Sequence, residues 1–144
     1  MIIISIDYGD VRTGVAACDT SEIMAFPVCT IEERNFERLC AKIADIAKNR
    51  KAEIIVVGNP VNMNGSVGVR SQKCTELHDS LAALTGLEAV LWDERRSTVE
   101  AANLLNQADV RGKKRKAVID AAAACLILEG FLAFRKKSLN YEKE

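Results

Sequence analysis

Two short runs in this chain carry almost no polar residue, and they constrain its fold more than any other feature. Residues 2–6 read Ile-Ile-Ile-Ser-Ile, and "AEIIVVG" spans residues 52–58. Neither alternates apolar with polar, so each predicts a strand covered on both faces, the habit of strands inside an α/β sheet. The first run ends in Asp7 and the turn Tyr8-Gly9-Asp10, the second in a loop beginning at Asn59. Ligands gather at the carboxyl ends of parallel strands in such sheets. A bare carboxylate at that end is therefore a candidate for chemistry.

The other elements follow from periodicity and punctuation. "TGVAAC" (13–18) and "IMAFPVC" (23–29) predict a second and a third strand joined by a polar turn. Thr30 and Glu33 form a capping-box pattern ahead of Phe36, Leu39, Cys40, Ile43 and Ala47, which recur at helical spacing. A helix from about Val69 to Leu84 carries Cys74, Leu77, Leu81 and Leu84 on one stripe, and Gly86 stops it. "EAVLW" (88–92) predicts a fifth strand, and Ser97 with Glu100 caps a short helix that fades near Gln107. "RGKKRK" (111–116) reads as a basic loop before an Ala-rich helix over 117–134. The expectation is one α/β domain over residues 1–138, with a charged tail over 139–144. A meander of three strands and a right-handed crossover would set strand 4 beside strand 1 and strand 5 beyond it. Asp7, Asn59 and Asp93-Glu94 would then share one rim.

Composition narrows the function classes. Hydrophobic residues make up 49% and charged residues 28% of 144, which suits a globular domain and argues against disorder. Lys+Arg and Asp+Glu both number 20, so any grip on a polyanion must come from local clustering. Five cysteines with no CxxC pair argue against a disulfide framework or a zinc site and for a reducing compartment. Cys18, Cys40 and Cys125 lie among apolar residues, where core packing is their expected role. No basic region or cleavage signal precedes the first strand, so the expected location is cytoplasmic. Residues 117–134 approach the length of a membrane span, but Asp120 and Glu129 interrupt them and basic residues flank both ends. A core helix, with no membrane contact, is the reading.

Several features compete for the role of site. "DYGDVRTG" is compatible with a solvated turn, with one limb of a metal site, or with the phosphate loop of actin-like ATPases and sugar kinases. The last needs two such domains closing on a nucleotide, and this chain holds one. Asp120 stands between Ile119 and four alanines. An unpaired buried charge there would cost about 3 to 5 kcal/mol, so it needs either a basic partner such as Lys116 or a bound cation. The cation is favoured because other carboxylates are in reach. In "WDERRSTVEA" (92–101), alternation lets only one of Asp93 and Glu94 point at the site. Asn59, Asn62 and Asn64 in the loop 59–68, and Lys113, Lys114, Arg115 and Lys116, suit contacts to a phosphate backbone. His78 has no partner pattern and reads as an ordinary boundary residue.

With these residues assembled, the chain resembles the YqgF family of RNase H-like proteins, also described as RuvX or Holliday junction resolvases. The resemblance spans nearly the whole chain and rests on "DYGDVRTGVA", "VVGNPVNMNG", "DERRST" and "IDAAAACLIL", in the family's order. It implies an RNase H-like fold, a five-stranded mixed sheet flanked by helices, and a divalent-metal phosphodiesterase site. The family's acidic positions fall on Asp7, Glu94 and Asp120. There are departures: Val11 precedes Arg12 where the family usually has two basic residues, and Asn59, Val61 and Asn64 interrupt the usual Leu-Pro-Leu-Asn-Met-Asp-Gly loop. None removes a proposed ligand.

The expectation is thus a Mg²⁺- or Mn²⁺-dependent endonuclease with two metal ions on Asp7, Glu94 and Asp120. Arg12, Asn62, Asn64, Arg95 and the basic run would hold phosphates. Structured RNA, above all precursor 16S ribosomal RNA, is the expected substrate, with ribosomal particles as partners. The alternatives are resolution of four-way DNA junctions, or an RNA- or ribosome-binding factor that cleaves nothing.

Overall fold

The isoleucine run becomes β1 (Ile3–Asp7) at the centre of the sheet, with Ile3, Ile4, Ser5 and Ile6 all buried. The computed structural model describes residues 1–59, 69–93 and 112–143, and only the backbone at 69–70, 112–120 and 138–143. Around β1 stand β2 (Arg12–Cys18), β3 (Ala25–Glu32), β4 (Ile54–Asn59) and β5 (Glu88–Asp93), in the order β3-β2-β1-β4-β5. The meander β1-β2-β3 is antiparallel, while β4 and β5 run parallel to β1. This is the five-stranded mixed sheet the sequence predicts.

Strand alternation divides the core in two. Ile4, Ile6, Val15, Ala17, Ile55 and Val57 face α1 (Phe36–Asn49) and α2 (Val69–Thr85), whose Leu39, Ile43, Leu77 and Leu81 are buried against them. Ile3, Ala16, Cys18, Ile54 and Val56 face α3 (Gly112–Lys143), through Ala124, Ile127, Leu128, Phe131 and Leu132. Among the described residues no helix is long and apolar enough to cross a membrane.

Four expectations change. The Thr30–Glu33 capping box does not form, because Thr30, Ile31 and Glu32 stay paired with β2 and Ile31 is buried. Asn35 caps α1 instead, accepting from the Arg38 N–H at 2.9 Å, and Glu33 accepts from the Asn35 N–H. Leu84 lies outside the buried stripe of α2 and is 58% exposed. The basic run is no loop: residues 112–116 open α3, and that helix continues through the expected tail to Lys143. Gly86 does end α2, at φ +73° and with its N–H on the Ala82 carbonyl.

Candidate functional site at the carboxyl ends of the parallel strands

Asp7, half-buried, is the last residue of β1. It shares strand parity with Ile3 and Ser5, so it belongs to the α3 face. Its partner on β2 is Gly14, and on β4 Gly58 stands one residue beyond the Ile6–Val57 pair. Both neighbours on that face thus lack a side chain, which opens space around the carboxylate. The turn that follows is tight. A Cβ at Gly9 would collide with the carbonyl oxygen of Arg12, and the Thr13 hydroxyl lies 3.4 Å from the Gly9 N–H. Lys73 of α2 reaches Asp10 at 3.4 Å, and the Tyr8 ring packs against Phe36. Arg12 opens β2 and shares parity with Gly14, hence the face of Asp7.

Asp120 is a position in α3, one turn before Ala124. The Ser5 hydroxyl, wholly buried, donates to the Ala124 carbonyl at 2.6 Å. At the other end of the helix, Arg135 binds Glu22 at 2.6 Å, and Glu22 in turn holds the amino group of Met1. These two anchors show that α3 runs antiparallel to β1. Two strand residues rise about 6.6 Å and four helical residues about 6 Å. The backbone of Asp120 therefore comes level with Asp7, over the same face.

On β5, Val90 and Trp92 pack on the α3 side and Leu91 on the other. Asp93, exposed at the strand's end opposite Asn59, shares parity with Leu91 and so faces away from Asp7. Glu94, Arg95, Asn62, Asn64 and the short helix expected after Ser97 lie outside the described residues, as do the side chains of Asp120 and of Lys113, Lys114, Arg115 and Lys116. Among the described residues no three His, Cys, Asp or Glu side chains assemble as a metal site. Asp7 is the one predicted acidic ligand whose side chain is described. Its hard oxygen donors, with glycines to either side, suit a hard divalent cation such as Mg²⁺ or Mn²⁺.

Polar pairs that sequence reasoning missed tie α2 to the sheet, one at this rim and one away from it. Asn59 accepts from the buried Ser71 hydroxyl at 2.7 Å, linking β4 to α2. His78 lies 2.8 Å from the Ala89 carbonyl and 2.8 Å from the Asp79 carboxylate, tying α2 to β5. Ser5 is visible in the sequence as the single hydroxyl in an isoleucine run; the other two carry no comparable signal. The cysteines pack as expected. Burial pushes the thiols of Cys18, Cys29 and Cys40 up, and that of Cys125 to about 11.

Residues 1–134 match the RuvX family, described as Holliday junction resolvase. A relative from Bacillus mycoides, named "Putative pre-16S rRNA nuclease", is 44% identical over 138 residues, covering 92% of this chain and 98% of its own length. One of the same name from Pelagibacter ubique is 40% identical, covering 91% and 87%. Among solved structures, Thermus thermophilus RuvC superposes with a TM-score of 0.57 at 12% identity, covering 92% of this chain and 97% of that one. The fowlpox virus Holliday junction resolvase gives 0.59 at 12% identity, covering 92% and 98%. At that identity the likeness is one of fold, the RNase H-like fold of these resolvases.

Proposed function

The chain belongs to the RuvX family of RNase H-like nucleases, and from that premise we propose that it is a divalent-metal-dependent endonuclease acting on structured RNA in the cytoplasm, in maturation of precursor 16S ribosomal RNA. Asp7 carries the reading: a carboxylate at the end of the central strand, with glycines on both sides and the α3 backbone at Asp120 level with it. Asp7, Glu94 and Asp120 would hold two Mg²⁺ or Mn²⁺ ions. When bound, such ions stabilise charge developing on the phosphate and ease deprotonation of an attacking water. The alternation of β5 supports Glu94 over Asp93 as the third ligand, since Asp93 faces away from Asp7.

The remaining residues orient the substrate. Arg12, on the face of Asp7, would grip a phosphate beside the scissile one. Arg95 and the cations Lys113 to Lys116 at the start of α3 would extend the grip along the backbone, with Asn62 and Asn64 adding neutral hydrogen bonds. Such contacts fix register and carry no base sequence. Ribosomal particles follow as the setting in which that precursor RNA is presented.

The test is a cleavage assay in Mg²⁺, Mn²⁺ and chelator on precursor 16S RNA, a hairpin RNA and a four-way DNA junction. Metal-dependent cutting of the precursor by the wild type, lost in Asp7→Asn, is the expected result. Preference for the junction would turn the reading to recombination, and binding without cutting in any metal would make the protein a binding factor.

A further inference from the structure

The Ser5 hydroxyl has no place in the chemistry just described, yet it is wholly buried and donates a 2.6 Å hydrogen bond to a helix carbonyl 119 residues away in sequence. Its acceptor, Ala124, lies one turn from Asp120, and Ser5 itself lies two residues from Asp7 on the same face. The surroundings sharpen the point. Next to Ser5 stand Ala16 on β2 and Val56 on β4, and among the described side chains the buried α3 positions nearest the rim are Ala121 and Ala124. Small side chains bring helix and sheet backbones close but offer no ridges to stop a helix sliding. Among the described side chains, the large anchors of α3, Ile127, Leu128, Phe131 and Leu132, come later in the helix, away from the rim.

We propose that Ser5 is a positioning residue that fixes the axial register of α3 against β1 and so sets the spacing of Asp7 and Asp120. The proposal rests on the metal reading of the site. A one-residue slip of α3 would carry Asp120 about 1.5 Å along the helix axis and turn it by about 100°. Apolar contacts can re-form around neighbouring side chains, whereas a short directional bond to one carbonyl selects a single register at the rim. Ala124 O sits mid-helix and keeps its own helical N–H partner. Losing Ser5 therefore strands no buried acceptor and removes only the register signal.

The experiment titrates Mn²⁺ alone into wild type, Ser5→Ala, Ser5→Thr and Ile127→Val, following free Mn²⁺ by electron paramagnetic resonance, with Tm measured beside it. Ile127→Val loosens the same helix at a distance from the rim. Ser5→Ala should bind Mn²⁺ about tenfold more weakly, the lower end of what outer groups contribute to metal affinity. Ser5→Thr, which keeps the donor, and Ile127→Val should bind like wild type. Unchanged affinity in Ser5→Ala, an equal loss in Ile127→Val, or no recovery in Ser5→Thr overturns the proposal while leaving the metal reading standing. A wild type that binds no Mn²⁺ overturns the metal reading itself, and the positioning role falls with it.

Discussion

On the α1/α2 face of the sheet, Ile4, Ile6, Ile55 and Val57 meet Leu39, Ile43, Leu77 and Leu81, large side chains buried on both sides of the seam. On the α3 face towards the rim the described residues are mostly smaller: Ser5, Ala16, Gly14 and Gly58, with Val56 beside Ser5, opposite Ala121 and Ala124. Interlocking Leu and Ile on the first face bury apolar area and exclude voids, the main source of stability in a domain of this size. The second face gives up that area for a close backbone approach and for room beside Asp7. One side of the sheet holds the molecule together, and the other arranges a carboxylate at its edge.

The sharpest way to break this division is Asp7→Asn. It should cut metal-dependent cleavage by more than about 100-fold, beyond the loss seen for outer-shell groups. Its stability in chelator should stay within about 1 kcal/mol of wild type, since the half-buried carboxylate sits at the rim and not in the core. Melting curves in chelator and single-turnover cleavage in Mg²⁺ check both halves. A large fall in Tm with cleavage retained would make Asp7 a structural residue.

The opposite pattern is expected from Leu77→Ala. Leu77 is wholly buried on the α1/α2 face, so the change should cost about 2 to 5 kcal/mol. Mn²⁺ affinity of the folded variant should stay at the wild-type value. Urea unfolding and Mn²⁺ titration below the transition test it, and a metal affinity that falls along with stability would mean the two faces are one cooperative unit.

How much of this was legible beforehand follows the same division. Apolar runs and helical stripes report burial directly, so strand order, α1, α2 and the assignment of Leu39, Ile43, Leu77 and Leu81 to the core could be derived from pattern. The start of α1 could not, because local capping by Thr30 and Glu33 competes with a sheet ladder that forms only in three dimensions. Nor could the helical start at Gly112, where a run of cations reads as loop until tertiary packing carries the helix outward. Of the proposed ligands, Asp7 and Asp120 stand out in the sequence as carboxylates beside apolar residues. The role of Ser5 and the face of Asp93 needed the register of α3 on β1 and of β5 on β4, which no single segment encodes.

A smaller effect on the α3 face is read by pH. The Cys125 thiol, half-buried on α3, is pushed up from 9.0 to about 11 by burial and then by Glu129. The folded state holds this proton more tightly than the unfolded one, so its contribution is complete below about pH 9 and is lost as pH rises towards 11. Discounted for partial exposure, the loss is about 1 kcal/mol. Cys125→Ala should decline less steeply between pH 9 and 11 in alkaline unfolding. Equal slopes in variant and wild type would leave the alkaline loss to Cys18, Cys29 and Cys40.

The smallest effect concerns the contact through which the α3 face reaches β5. Trp92, the only tryptophan in the chain, packs edge-on to Phe131 at 5.9 Å and tilted to Phe134 at 5.5 Å between ring centres. Gly130 makes room for it: a Cβ there would lie 3.2 Å from the indole nitrogen. Alanine in mid-helix gains about 1 kcal/mol over glycine in propensity. Moving the indole by a few tenths of an ångström, against two rings already in contact, should consume most of that gain. Gly130→Ala should therefore melt within about 2 °C of wild type, because gains and losses of this size nearly cancel, and its tryptophan emission maximum should shift. Trp92 lies on β5 two residues before Glu94, so a displaced indole would also loosen that end of the strand, and Mn²⁺ affinity should fall slightly. If Tm instead rises by the full propensity gain and emission stays put, Trp92 has slack, and the α3 face is not coupled to the end of β5.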